Sequence, residues 1–432
     1  MDIIHNFLIN PGIAKFISLF IAIIMGLLSL SPINIVVVYL FFRPIVQPYA
    51  YHKYTIINGV PLTAIFPVIL IISAFLNSFV KEKYSLIYIR LIPLYLIIFF
   101  STLSFYNTPG LAISIGGVLK LLTAIAIYML VFNSIQTEND IRKILWIYVL
   151  CTIIPMSFGY YQYLTATGHA WKSQYYAGKR IDSFLGEWNA YGEFLCIGIA
   201  AILALLNMKL KKKWHHLLKL FLGSMIISLV LSLNRGSWVS LGIGIITATI
   251  VYWRRISIVK ITAGIVLIMI MFGGIIFERF SELKQTNSVG MSKNTLENRI
   301  EGWKNLIPLI VNHPIAGNGL DASLIITKNS IGPSFAPHND YLRMALELGI
   351  PAAILYFIFL FGQVWFALGR FRQKEYWQIN FSLMILSVYF LIISVLQNIF
   401  TNQVVFPMFM GLLAIGHRIP QIGNTIENDK IE

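Results

Sequence analysis

Apolar runs of about 20 residues, the length a helix needs to cross a bilayer, recur through most of this chain with only short polar links between them. A membrane-embedded helical bundle is the fold that satisfies every backbone amide and carbonyl in such runs. Twelve candidate spans lie near 12–30, 60–80, 86–104, 111–133, 143–164, 189–208, 217–234, 236–252, 258–277, 346–369, 379–399 and 402–417. Residues 31–47, interrupted by Pro32, Asn34 and Pro44, allow a thirteenth. The composition agrees: 57% of residues are hydrophobic and 12% charged, with a mean hydropathy of +0.74, values of the integral-membrane class. Cys151 and Cys196 sit in apolar runs and read as small buried hydrophobes. The run near 12–30 lacks a small-x-small cleavage site and is expected to be a retained anchor.

The formal charge of +15 is spread over links between spans without aromatic interleaving, which argues for membrane orientation and against nucleic acid. Short cytoplasmic links retain Lys and Arg. The link carrying Lys209, Lys211, Lys212, Lys213 and Lys219 therefore marks the cytoplasmic side. Alternation from there puts Lys81, Lys83, Arg142, Lys143, Arg254, Arg255, Lys260, Arg370, Arg372 and Lys374 on the same side. Residues 165–188, the turn at 234–236 and the long loop 278–345 then share the outer face. The expected division is 1–277 as N-terminal spans, 278–345 as a large extracytoplasmic loop with two short helices, 346–418 as C-terminal spans and 419–432 as a cytoplasmic tail.

Four regions of that outer face carry chemistry. Arg235, in LSLNRGSWVSL, lies between two apolar runs, where a guanidinium needs an anionic partner or must snorkel to lipid phosphate. Arg299 lies in a helix expected over Thr295 to Val311, opened by an Asn294–Glu297 capping box. There Ile300, Trp303, Ile307 and Ile310 make one apolar stripe that can lie along the membrane, opposite Arg299, Glu301 and Lys304. His338 opens a second helix, His338 to Leu348, whose macrodipole disfavours imidazolium; the ring is either a neutral base or a satisfied structural residue. The fourth region, GKRIDSFLGEWNAYGEF, brings Arg180, Asp182, Glu187 and Glu193 to a span entrance near Asn189. Lys120, about ten residues inside a span, should face the bundle interior or snorkel. No DxD pair, Walker-type loop, HExxH or paired-Cys set is present, so the reading is metal-independent, without a cofactor.

In order along the chain, RIDSFLGEWNAYGEF, LSLNRGSWVSL, ENRIEGWKNLIPLIVNHPIAGNGLD and PHNDYLRMALELGIPAAILYF resemble the O-antigen ligase/polymerase superfamily of bacterial envelope glycosyltransferases. The resemblance implies an all-α, GT-C-like fold with about 12 transmembrane helices in the bacterial inner membrane, its active site facing the periplasm. It also implies transfer of a glycan from undecaprenyl diphosphate. A ligase passes the glycan to the lipid A core, and a polymerase passes it to a second lipid-linked repeat. By the same motifs Arg235 and Arg299 would grip the diphosphate and His338 would assist at the reacting sugar. Arg180, Asn189, Trp303, Asn339 and Lys120 are further candidates for binding diphosphate or glycan. The chain departs from the pattern at Glu187–Trp188, where relatives often carry Asn-Pro. Two other classes stay open: a transporter or flippase, for the number of spans and Lys120, and a non-catalytic scaffold.

Overall fold

The structure is a computed structural model, and it describes residues 26, 31–51, 55–57, 60–61, 65–80, 88–170, 179–281, 295–331, 336–373 and 375–428. The first expected span apart from residue 26, Lys81, Lys83, the Asn294 cap, Lys374 and the last four residues lie outside the described residues.

The chain is helical almost throughout. In order come α1 (Pro32–Tyr51), α2 (Ile65–Val80), α3 (Ile92–Leu103), α4 (Leu111–Ser134), α5 (Glu138–Leu150), α6 (Ile153–Thr165), α7 (Trp188–Leu206), α8 (Lys212–Leu231), α9 (Arg235–Val251) and α10 (Ile258–Ser281). The loop region carries α11 (Thr295–Asn312), α12 (Ser323–Ile331) and α13 (Asp340–Leu348), followed by α14 (Ile350–Gly369), α15 (Trp377–Leu396) and α16 (Val405–Asn428). Three 3-10 turns (Ile89–Leu91, Ser104–Tyr106 and Ser183–Leu185) and two short antiparallel ladders complete the described elements: β1 (Thr55–Ile57) with β2 (Val60–Pro61), and β3 (His169–Ala170) with β4 (Lys179–Arg180).

Among the described residues, seven helices are long and apolar enough to cross a membrane, against the 12 expected: Ile89–Tyr106, Leu111–Ser134, Glu138–Thr165, Trp188–Leu206, Lys212–Leu231, Ile350–Gly369 and Trp377–Leu396. Four more apolar helices are shorter: Pro32–Gln47, Pro67–Ser78, Arg235–Val251 and Val405–Ile419. The run that opens with Pro32 is one helix despite Pro44, and the final helix runs to Asn428, past the expected boundary at 418.

Helix α15 is the centre of the bundle, packed against α7, α9 and α14, while α4 joins α2 and α16 to it. Small residues let backbones approach where no hydrophobic effect drives association. Gly244 is one such point, because a Cβ there would meet the Ile385 carbonyl oxygen of α15 at 2.6 Å. The core is rich in fully buried tyrosines, whose hydroxyls need partners: Tyr148 donates to the Met408 carbonyl at 2.9 Å, and Tyr191, Tyr356 and Tyr389 bond Ser228, Ser394 and Ser237 at 2.6, 3.0 and 3.0 Å. Phe75, Phe99, Ile250 and Phe361 point outward and exposed, as on a face covered by lipid.

The loop region has three described helices, not two, and a small core of its own. Leu306 and Ile310 of α11 pack with Ala322, Ile326, Ala345 and Leu346, with Trp303 and Leu309 at its edge. This splits the expected stripe: Ile300 and Ile307 are exposed, so α11 buries Trp303, Leu306 and Ile310 against α12 and α13. Helix α12 is only nine residues, too short for periodicity to register in the sequence. Glu193, expected at the span entrance, is 2% exposed and buried inside the bundle.

Candidate active site

The segment from Leu396 to Thr401, joining α15 to α16, receives the loop. Leu396 ends α15, where a helix leaves unsatisfied carbonyls and a partial negative charge. Arg299 of α11 donates to the Leu396 carbonyl at 2.9 Å. The Gln397 side chain hydrogen-bonds the His338 ring. Asn398 Oδ1 accepts from the Asn339 amide at 3.1 Å, and the amides of Ile399 and Phe400 donate to Asp340 Oδ2 at 2.9 and 3.0 Å. Five consecutive residues, 396–400, thus fix α11, His338 and the start of α13 in one frame.

His338 stands just before α13, whose N-cap is Asn339, its Oδ1 accepting from the Leu342 amide at 3.1 Å. The histidine has φ +46, a left-handed conformation that costs a non-glycine residue about 1 kcal/mol or more. Ala166, Ser183, Leu233, Asp321 and Tyr376 share that conformation among the described residues. Trp303 Nε1 donates to the Pro337 carbonyl at 2.6 Å and holds the approach to the histidine. Burial, and then the Arg299 charge, push the His338 pKa down to about 4. The ring is therefore neutral at pH 7. Burial and the Arg235 charge likewise hold Arg299 below the usual arginine value, so Arg299 lies within electrostatic reach of both Arg235 and His338.

Arg235 opens α9, after the N-cap Asn234, whose Oδ1 accepts from the Ser237 amide at 3.2 Å. Asn234 Nδ2 also donates to the Asn189 carbonyl at 3.1 Å, tying this turn to the start of α7. Arg180 lies over the Trp188 ring with Cζ 4.6 Å from its centroid, so the residue that departs from the superfamily pattern serves as a platform for that arginine. The loop behind it is pinned by Gln162, which donates to Asp182 Oδ1 at 2.8 Å and accepts from the Ser183 amide at 2.8 Å.

A second polar cluster locks the loop to the bundle. Asp321 pairs with Lys120 of α4 and Arg343 of α13 and accepts from Thr401 Oγ1 at 3.2 Å. Arg343 Nε meets Glu347 at 3.0 Å, and Glu347 accepts from the amides of Asp321 and Ser323 at 2.8 and 3.1 Å. Burial works to raise the Asp321 pKa, but Lys120 and Arg343 more than offset it and hold the carboxyl down to about 2. Asp340, fully buried, goes the other way: burial lifts its pKa to about 7 against the Arg343 charge and the two amides. Gly349 closes α13 with φ +92 and backs onto the carbonyls of Pro314 and Ile315, a position without room for a Cβ. The amides of Asn318 and Gly319 donate to the Glu347 carbonyl at 3.0 and 2.8 Å, satisfying the end of α13.

Residues 220–357 match the Wzy_C family, described as O-antigen ligase. The chain carries a domain of the O-antigen ligase/polymerase superfamily. This bears out the resemblance read from the motifs. The O-antigen ligase match runs from α8 into α14 and takes in Arg235, Arg299 and His338, while Arg180 and Asn189 precede it. No curated protein matches the chain.

Of the sequence candidates in and around this O-antigen ligase domain, Arg299 lies within electrostatic reach of Arg235 and of His338, and Asn189 bonds Asn234, next to Arg235. The Lys120 ammonium pairs with Asp321, the Trp303 N–H donates to the Pro337 carbonyl and the Asn339 side chain caps α13. Glu301 and Lys304 are exposed, as a solvated helix face requires. Sequence reading missed Gln397, Asn398 and Thr401. The cue was present in LQNIFTNQ, a run of amides and hydroxyls between two apolar stretches. Trp303→Phe is expected to lower stability by about 1 kcal/mol through loss of the Pro337 bond, read as a drop in melting temperature in detergent. An unchanged melt would remove Trp303 from the support of His338.

Proposed function

We propose that this chain is an inverting, metal-independent glycosyltransferase that moves a glycan from undecaprenyl diphosphate to a hydroxyl of the lipid A core at the outer face of the bacterial inner membrane. The observation that carries the reading is the convergence of Arg235, Arg299 and a neutral His338 at one end of the bundle. The acceptor oxygen attacks the anomeric carbon opposite the leaving group, and its proton passes to the His338 ring. The sugar–phosphate bond breaks with its electron pair going to undecaprenyl diphosphate, where the two guanidiniums and the N-terminus of α9 stabilise the growing charge. Orientation is supported by the far end of the same helices, where the basic link at 209–213, Arg254, Arg255, Arg370 and Arg372 collect. A carrier reading loses its motive, since Lys120 is engaged by Asp321 and the convergent groups sit at a bundle end and not at the midplane.

The test is a reconstituted reaction of purified protein with a lipid-linked glycan, offered lipid A core or a second lipid-linked repeat. Product on lipid A core supports the ligase reading; elongated lipid-linked glycan alone replaces it with a polymerase. No product with either acceptor sinks the enzyme.

The histidine adds a pH signature. In the free protein the ring protonates only near pH 4, so kcat/KM should stay level from about pH 8 to about pH 5 and fall below that. A bound diphosphate masks the Arg299 charge and favours imidazolium, so the acid limb of kcat should lie at higher pH than that of kcat/KM. Coincident limbs would remove His338 from proton transfer. Because the folded pKa lies below the unfolded value, the unfolded chain takes up more protons between about pH 6.5 and 4, and the stability contribution of His338 is lost as pH falls through that window.

A further inference from the structure

At the end of the bundle away from the loop, α14 closes with Phe366, Gly369 and Arg370 around a cleft of about 380 Å³ lined also by Arg90, Trp365 and Gln373. The Phe366 ring collects three cation-forming groups: Arg90 Cζ lies 4.1 Å and Arg370 Cζ 5.3 Å from its centroid, and the His417 ring packs edge-on at 4.7 Å. Arg370 is only 7% exposed, and its Nε donates to Gln373 Oε1 at 2.8 Å while its NH1 group is buried without a partner. His417 is wholly buried; its Nδ1 meets Tyr128 OH at 2.9 Å, and its Nε2 has no partner either. Among the described residues, no carboxylate pairs with Arg90 or Arg370.

Two guanidiniums beside one ring, one of them buried, repel each other and leave hydrogen-bond donors unused, an arrangement that an oxyanion relieves. Trp365, 66% exposed on the last full turn of α14, puts an amphipathic ring at the mouth of the cleft, the position such rings take at headgroup level. A basic pocket between helices at that depth suits a phosphate carried on a lipid. We propose that Arg90 and Arg370 hold the phosphate of an anionic lipid headgroup in the cleft beside Phe366, at the bundle end opposite the candidate active site. This site is separate from glycan transfer and stands whether or not that reaction is the one catalysed.

Native mass spectrometry of the full chain in detergent, titrated in separate arms with phosphatidylglycerol, phosphatidylcholine and inorganic phosphate, tests the proposal. Phosphatidylglycerol should bind about ten-fold more tightly than phosphatidylcholine and resist competition by excess inorganic phosphate, and Arg90→Gln should weaken it about ten-fold, the worth of one charge-assisted bond. Arg90 is exposed, so that variant folds, and Arg90→Gln with Arg370→Gln should remove the preference altogether. Equal retention of the two lipids, or unchanged retention in Arg90→Gln, overturns the site. Displacement by inorganic phosphate overturns the lipid assignment.

Discussion

Arg299→Ala is expected to lower glycan transfer by about 10²- to 10³-fold, or roughly 2.7–4 kcal/mol of transition-state stabilisation, the usual loss when one pre-placed donor to a developing oxyanion is removed. The side chain is held from behind by the Leu396 carbonyl, leaving its other donors set without reorganisation. Arg299→Lys should recover little, because an ammonium cannot bond Leu396 and present a planar fork together. Most of the loss should appear in kcat, since the charge that Arg299 meets grows as the sugar–phosphate bond breaks. Rates of both variants with a lipid-linked donor check this. A loss confined to KM would mean that Arg299 binds donor and transition state alike.

The second large effect falls on stability. Asp321→Ala leaves Lys120 and Arg343 facing each other without the carboxylate between them; removing one partner of a buried ion pair costs about 3–5 kcal/mol, and with Lys120 and Asp321 still 24% and 20% exposed the low end, about 3 kcal/mol, is expected, a large share of a typical folding free energy of about 5–15 kcal/mol. Melting temperature and detergent-extracted yield should both fall steeply. Lys120→Met combined with Asp321→Asn should be milder than Asp321→Asn alone, because Arg343 keeps Glu347 and the stranded ammonium is gone. Simple additivity in that cycle would show that the pair is not coupled. The depressed Asp321 pKa sets the pH window: the stabilisation is present above the ordinary carboxylate value near 3.8 and disappears as pH falls through about 2.

The positions of the helices were legible because a bilayer-spanning run announces itself by composition. The number that meet full length was not, because Arg235 at its start limits α9 to 17 residues and because part of the chain lies outside the described residues. Arg235, Arg299 and His338 stood out as ionisable groups beside apolar runs, and Arg299 feels the Arg235 charge as His338 feels that of Arg299. The partners that hold them were hidden. Lys120 and Asp321 are 201 positions apart, and the contacts of Leu396 with Arg299 and Asn398 with Asn339 span 97 and 59; no periodicity reports such pairings. Only the Arg343–Glu347 step, four residues along one helix, was readable locally, inside the very motif that flagged the histidine.

The short connection from Leu396 to Thr401 also bears on how these proteins can be recombined. It seats the arginine of one loop helix, the imidazole, the first turn of another loop helix and the Asp321 carboxylate, yet it is encoded after both spans that follow the loop's first half. The segment 295–348 is consequently not a portable cassette. A chimera that exchanges 295–348 alone would arrive without its seat, whereas one that carries 396–401 along keeps Arg299 and His338 in register.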